Sequence, residues 1–167
     1  MRIIDIPEFK DKTDVLTMPE TANLIDVVVK MAERNVGSVV VVRDSKVVGI
    51  FTERDLLTKV VGKRKKVEDL SLIDVMTKNP KTASLNDTVA DSMRRMSQGH
   101  FRHLPVIDDK KNLIGIISQG DFVAYTWYDI FTKITNQTKR SFLSNTQVWM
   151  LVLGPLAYLL VLKFFIH

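Results

Sequence analysis

An α+β fold made of two similar halves packed sheet to sheet is predicted by three features of the chain. Short phrases recur in the same order in both halves, each half reads as β-α-β-β-α, and an unbroken valine run marks a strand covered on both faces. Composition then changes sharply near residue 147, where a separate apolar segment begins.

The recurrence has two parts. The pattern P-x-T-A-x-L-x-D occurs as PETANLID over 19–26 and as PKTASLND over 80–87. Further on, VVGIFTERDLL over 47–57 is answered by LIGIISQGDFV over 113–123, so Gly49, Thr52 and Asp55 correspond to Gly115, Ser118 and Asp121. In each half a helix is expected to open at Asp26 or Asp87, whose carboxylate can accept from the free amides of a first turn. Ile25, Val28, Val29 and Ala32 lie at helical spacing in the first half, and Val89, Met93 and Met96 in the second, and both sets are expected to face the core.

A β-rich run follows, SVVVV over 38–42 or HLPVI over 103–107, then a polar turn at 43–46 or 108–112, then a second strand at 47–51 or 113–117. The two strands make a hairpin. Thr52 and Ser118 are plausible N-caps for the helix that closes each half. One half, of about 60 residues, would be marginal alone, and packing two together supplies a shared core. The joint is placed at 62–72, with the run KRKK at 63–66 as its exposed part. The expected boundaries are 10–66 and 72–128 for the repeats, 129–147 for a linking helix and 148–166 for a hydrophobic helix.

Composition narrows the chemistry. With no cysteine, disulfides, cysteine zinc sites and thiol nucleophiles are excluded, which suits a reducing compartment. The net charge of +5 is a modest excess, and nucleic acid is disfavoured as a partner. The first twelve residues lack the basic and apolar regions of a secretion signal. No G-x-S-x-G elbow, Walker loop or H-E-x-x-H is present, so catalysis is not expected. No metal is expected either, since His100 and His167 have no ligand at a suitable spacing. The pair Asp108 and Asp109 falls in a hairpin turn, where Asp is ordinary.

The repeat length, the endings GIFTERD and GIISQGD, and the phrase RHLPVID at 102–108 together resemble the CBS-domain family over roughly residues 10 to 128. The resemblance implies a pseudo-twofold pair of repeats, the Bateman module, with two clefts between the sheets that commonly hold adenosine-containing ligands. It also implies further assembly into homodimers.

The motif has a chemical rationale of its own. A carboxylate just after a helix start can accept both hydroxyls of a ribose, which suits Asp55 and Asp121; each charge-assisted bond is worth on the order of 1.5–3 kcal/mol. Thr52 and Ser118, three residues earlier, can meet ribose or phosphate oxygens together with free helix-start amides. Arg102 and His103 precede the second repeat's hairpin, where similar proteins place basic groups for phosphate, and Arg54 is a further candidate beside Asp55. By resemblance, an adenine edge would meet backbone near Val15 and near Met76 and Thr77. Gly37 and Ser38 stand in the first repeat where Arg102 and His103 stand in the second, so unequal phosphate affinity is expected at the two clefts. Each of these residues also has a purely structural reading, since Asp in a first helical turn is favourable without any ligand and Thr or Ser can simply cap.

Segment 148–166 is apolar apart from Gly154, Pro155 and Lys163. At about 1.5 Å per residue, a helix of this length approaches the ~30 Å thickness of a bilayer's hydrocarbon. Trp149 can sit at the interface, Lys163 can reach headgroups, and Lys133, Lys139 and Arg140 on the N-terminal flank favour the cytoplasmic face for the repeats. The alternative is a helix that packs on the protein itself.

The expected function is therefore a membrane-tethered sensor of an adenine nucleotide, AMP, ADP or ATP ahead of S-adenosylmethionine, that signals to a protein partner. The alternative is a structural dimerising adaptor or a transporter-associated subunit without physiological ligand.

Overall fold

The computed structural model describes residues 1–6, 9 and 13–123. The expected linking and hydrophobic helices lie outside the described residues, as does the end of the expected second repeat. The chain divides into units 1–123 and 124–167, and the first is described here. Among the described residues no helix is long and apolar enough to cross a membrane.

Strand β1 (Thr17–Pro19) leads through a turn into α1 (Leu24–Glu33) and then into β2 (Ser38–Arg43). Asp44 and Ser45, both at positive φ, make the two-residue turn into β3 (Lys46–Thr52). Helix α2 (Glu53–Asp55) follows at once, widens into a π turn over Leu56–Val60 and tightens over Val61–Lys63. After the exposed basic run, α3 (Leu72–Val75) and β4 (Thr77–Lys78) precede the second set of elements. That set is β5 (Ala83–Ser84), α4 (Val89–Gly99), β6 (His103–Ile107) and β7 (Leu113–Ser118), followed by a helical turn at 119–123.

The first sheet has the order β1-β2-β3-β4 and the second β5-β6-β7. In each, the first two strands are parallel and the hairpin is antiparallel, with a bulge at the same place, between Val41 and Val42 and between Val106 and Ile107. Asp108 accepts from the side-chain amide and backbone N–H of Asn112 and from the Lys110 N–H, which hold its carboxyl below the usual range. Turn formation accounts for that carboxylate.

Two sequence expectations are corrected by the register. Pro19 pairs with Val42 just past the first bulge, and in the second sheet Ser84 pairs with Ile107, so Ser84 and not Pro80 stands where Pro19 does. The matched P-x-T-A-x-L-x-D phrases therefore occupy different places in the two repeats. For the same reason the helices are not capped by Asp26 and Asp87. Asn23 caps α1, accepting from the Ile25 N–H at 3.0 Å, and Thr88 caps α4, accepting from the Asp91 N–H at 3.1 Å. Asp87 instead accepts from the Ser84 N–H at 3.2 Å and pairs with Arg95 at 2.5 Å.

With α1 opening at Leu24, its buried stripe is Leu24, Val27 and Met31, while Ile25 and Val29 are exposed. Val28 is only partly buried. The stripe packs with Leu16, Val39, Val41, Phe51, Val60, Leu72 and Val75 into the first repeat's core. Each such aliphatic side chain contributes about 1.5–3 kcal/mol on burial. In the second repeat Val89 and Met96 are buried as expected, along with Leu104, Val106, Ile117 and Phe122.

The halves also interlock through two short segments. Residues 71–75 pack on the first repeat, where Leu72 and Ile73 donate to the carbonyls of Ala22 and Glu20 and Leu24 donates to Leu70. Residues 2–6 do the same on the second repeat: Ile3 and Ile4 donate to Asp87 and Leu85, and Val89 donates to Met1. Isolated bridges pair Asn23 with Ser71 and Arg2 with Thr88, and Asp74 and Asp5 each cap their own segment. R-I-I-D-I and S-L-I-D-V are thus equivalent pieces, each seated on the repeat that does not follow it.

Candidate functional site

Thr52 ends β3 and caps α2, which fixes the next residues in space. Its Oγ1 accepts from the Asp55 N–H at 3.3 Å, while its own N–H and hydroxyl donate to Asp55 Oδ2 at 3.0 and 2.8 Å. This reciprocal capping box holds the carboxylate of the buried Asp55 in one orientation. Asp55 Oδ1 accepts from the Thr77 hydroxyl at 3.3 Å and pairs with Lys59 Nζ at 2.7 Å. Thr77 is brought there by β4, which adds to the outer edge of β3 with Thr77 opposite Ile50. Thr77 thus belongs to the first sheet, with Met76 just before it, and does not merely precede the first strand of the second.

The opposite wall comes from the second repeat. Helix α4 closes at His100, whose left-handed conformation (φ 53°) turns the chain so that 100–103 run back toward α2. Arg54 reaches across and donates to the His100 carbonyl. Between the walls lies a cleft of about 390 Å³. That is within the ~300–1,000 Å³ usual for small-molecule sites. Of the residues named from the sequence, Thr52, Arg54, Asp55, Thr77, Arg102 and His103 line it. Asn79, Pro80, Lys81 and Phe101 line it as well.

Arg54, Lys81 and Arg102 give the cleft cationic walls around Asp55 and Glu53. Burial pushes His103 below its ordinary value, reinforced by the Arg102 cation beside it and partly opposed by Glu53 and Asp121. Arranged this way, one buried carboxylate can accept hydroxyls while the surrounding cations meet an anion, and Ile50 and Phe101 offer apolar surface for a ring. Among the described residues no group of three or more His, Asp or Glu could hold a metal ion.

Ser118 and Asp121 do not line this cleft. They form the matching box at the start of the helical turn 119–123, where the Ser118 N–H and hydroxyl donate to Asp121 Oδ2 at 2.7 and 2.8 Å. Val15 does not line it either. The residue the sequence reading missed is Lys59, which does not line the cleft itself but pairs with the Asp55 carboxylate that does. Its position one helical turn after Asp55 was the available signal, because residues four apart meet on a helix face. Phe101 and Lys81 lie in loops, where no periodicity marks them.

Comparison with known proteins agrees with this fold. The CBS domain family model matches residues 8–62 and 72–128. The uncharacterized protein MK0525 of Methanopyrus kandleri is 32% identical over 133 residues, covering 79% of this chain and 67% of that protein. The chain spans only 17% of each of two longer Arabidopsis thaliana CBS domain-containing proteins that it also matches. Among solved structures, the CBS-domain containing protein ATU1752 of Agrobacterium tumefaciens superposes with a TM-score of 0.69 at 34% identity, over 75% of this chain and 99% of that one. The CBS domain protein PAE2072 of Pyrobaculum aerophilum, solved in complex with AMP, shares the fold with a TM-score of 0.64 at 24% identity, over 72% of this chain and 89% of that one. The chain therefore belongs to the CBS domain family, as a tandem pair of CBS domains.

Proposed function

We propose that this chain is a regulatory module that binds an adenine nucleotide in the cleft between its two CBS domains. The observation that carries this reading is the cleft itself: the buried carboxylate of Asp55, the Thr77 hydroxyl and Arg54 on one wall and Arg102 and His103 on the other line a space of about 390 Å³. Asp55 would accept the ribose hydroxyls, and the cations would take the phosphates, AMP, ADP or ATP being favoured over S-adenosylmethionine because the latter is itself cationic. The AMP bound by the similar Pyrobaculum aerophilum protein supports the class of ligand.

Because the two walls belong to different repeats, a ligand that bridges them favours one packing of the pair over another, and that differential affinity is what a switch requires. The output is contact with a protein partner, from a homodimer held at the cytoplasmic face of a membrane by segment 148–166, whose apolar composition supports the anchor. A second reading, a dimerising adaptor without ligand, is favoured by one observation: the capping boxes at Asp55 and Asp121 account for both carboxylates structurally.

Thermal unfolding of the detergent-solubilised full chain with AMP, ADP, ATP, S-adenosylmethionine and adenosine separates the two. A nucleotide at 100 times its dissociation constant adds about 2.7 kcal/mol to the folded state. A nucleotide-specific rise in melting temperature is expected, and no shift with any of the five would leave the adaptor.

A further inference from the structure

A carboxylate offers about four lone-pair positions, and on Asp55 all four are taken. Oδ2 accepts from the Thr52 N–H and hydroxyl at 3.0 and 2.8 Å, and Oδ1 from the Thr77 hydroxyl at 3.3 Å and Lys59 Nζ at 2.7 Å. The Thr52 bonds belong to the helix cap. A vicinal diol that seeks this carboxylate thus finds no unused acceptor, and one of the other two partners has to leave.

Lys59 is the one that can. Its side chain is 38% exposed against 12% for Asp55, and a flexible four-carbon stem can carry a strongly hydrated ammonium into water. Its departure has a consequence, because the same Nζ donates to the carbonyl of Val75 at 2.9 Å and to Thr77 Oγ1 at 3.0 Å. Lys59 therefore ties the π turn that continues α2 to the end of α3 and the start of β4, the stretch that leads into the second repeat.

We infer that Lys59 is a latch on the cleft: in the empty protein its ammonium holds the diol's place on Asp55 and clamps the linker at 75–77, and a ribose ligand displaces it and releases the clamp. This rests on the nucleotide reading of the cleft and deepens it, since it assigns the element through which occupancy is felt outside the site. The ion pair opposes binding, so Lys59 sets affinity without being a ligand residue.

The test is calorimetric titration of AMP, and of 2′,3′-dideoxy-AMP, which has no hydroxyl for Asp55, into the parent chain, Lys59→Met and Lys59→Arg. Removing the competing ammonium is expected to tighten AMP binding about tenfold. The bidentate guanidinium in Lys59→Arg is expected to weaken it, and neither change is expected to alter dideoxy-AMP binding. A residue with a merely structural role would shift both variants the same way. Unchanged or weaker AMP binding in Lys59→Met, or an equal gain for dideoxy-AMP, overturns the latch alone; absence of AMP binding in the parent overturns the nucleotide reading and the latch with it. Should Lys59→Met not fold, acylation of lysines in the parent, followed by mass spectrometry, decides the point. AMP is expected to raise the labelling rate of Lys59 several-fold relative to Lys65, and an unchanged or lower rate overturns the latch.

Discussion

The hydroxyl of Thr77, on the strand that leads into the second repeat, donates at 3.3 Å to the carboxylate of Asp55 in the first turn of α2. Asp121 has the same capping box but stands outside the cleft. Asp55→Ala and Asp121→Ala are therefore both expected to destabilise the fold, by about 1–2 kcal/mol each through loss of the box. Only Asp55→Ala is expected to abolish nucleotide-dependent stabilisation. Denaturation with and without AMP checks this, and equal loss of the AMP effect in both would place the ligand elsewhere.

Gly49 is required by a close approach and not by its conformation, since no described glycine has positive φ. The Met76 thioether lies where a methyl on Gly49 would sit, and Val41 closes the other side. Gly49→Ala is expected to cost about 1–3 kcal/mol by overpacking the contact between β3 and the linker. Urea unfolding should show a lower midpoint with an unchanged slope.

His103 gives stability a pH dependence of known sign. Its pKa is lowered on folding, first by burial and then by Arg102, so at pH values between that lowered pKa and about 6.5 the unfolded chain binds more protons than the folded one. Its contribution is thus fully present above about pH 6.5 and lost as pH falls through that window. Chemical denaturation across pH 5 to 8 should show stability rising with pH, and His103→Gln should flatten that part of the curve.

The interlocking segments make a sharp contrast between neighbours. Ile3 is fully buried beside Asp87, whereas Ile4 is 52% exposed. Ile3→Ala is expected to cost about 2–5 kcal/mol and Ile4→Ala to stay within ~0.5 kcal/mol. Similar losses at both would mean the N-terminal segment is not seated as described.

These segments also show what the sequence could not reveal. The hairpins and the T/S-x-x-D boxes were legible because a two-strand alternation and a cap at fixed spacing are local signals, and both recur intact at Thr52–Asp55 and Ser118–Asp121. The P-x-T-A-x-L-x-D match misled because the same letters fall on different elements: Leu24, Ile25 and Asp26 open α1, whereas Ala83 and Ser84 form β5 and Leu85, Asn86 and Asp87 make the turn before α4. Once Ser84 takes the place of Pro19, the caps move to Asn23 and Thr88 and the buried stripe of α1 moves to Leu24, Val27 and Met31. Residues 2–6 and β4 are too short to show any period, and their partners are far along the chain, at Asp87 and at Gly49 and Ile50. Thr52, Arg54, Asp55, Thr77, Arg102 and His103 were named by motif and resemblance, whereas the i, i+4 spacing of Lys59 from Asp55 is a weak signal, and its bonds to Val75 and Thr77 show only when the linker is folded back.

The most direct test of the account is an AMP titration of the full chain followed by backbone amide NMR shifts. The account predicts the largest changes at 50–55, 77–81 and 99–103, the three stretches that line the cleft; shifts centred on 118–121, or on the exposed face of α1 at Ile25 and Val29, would contradict it.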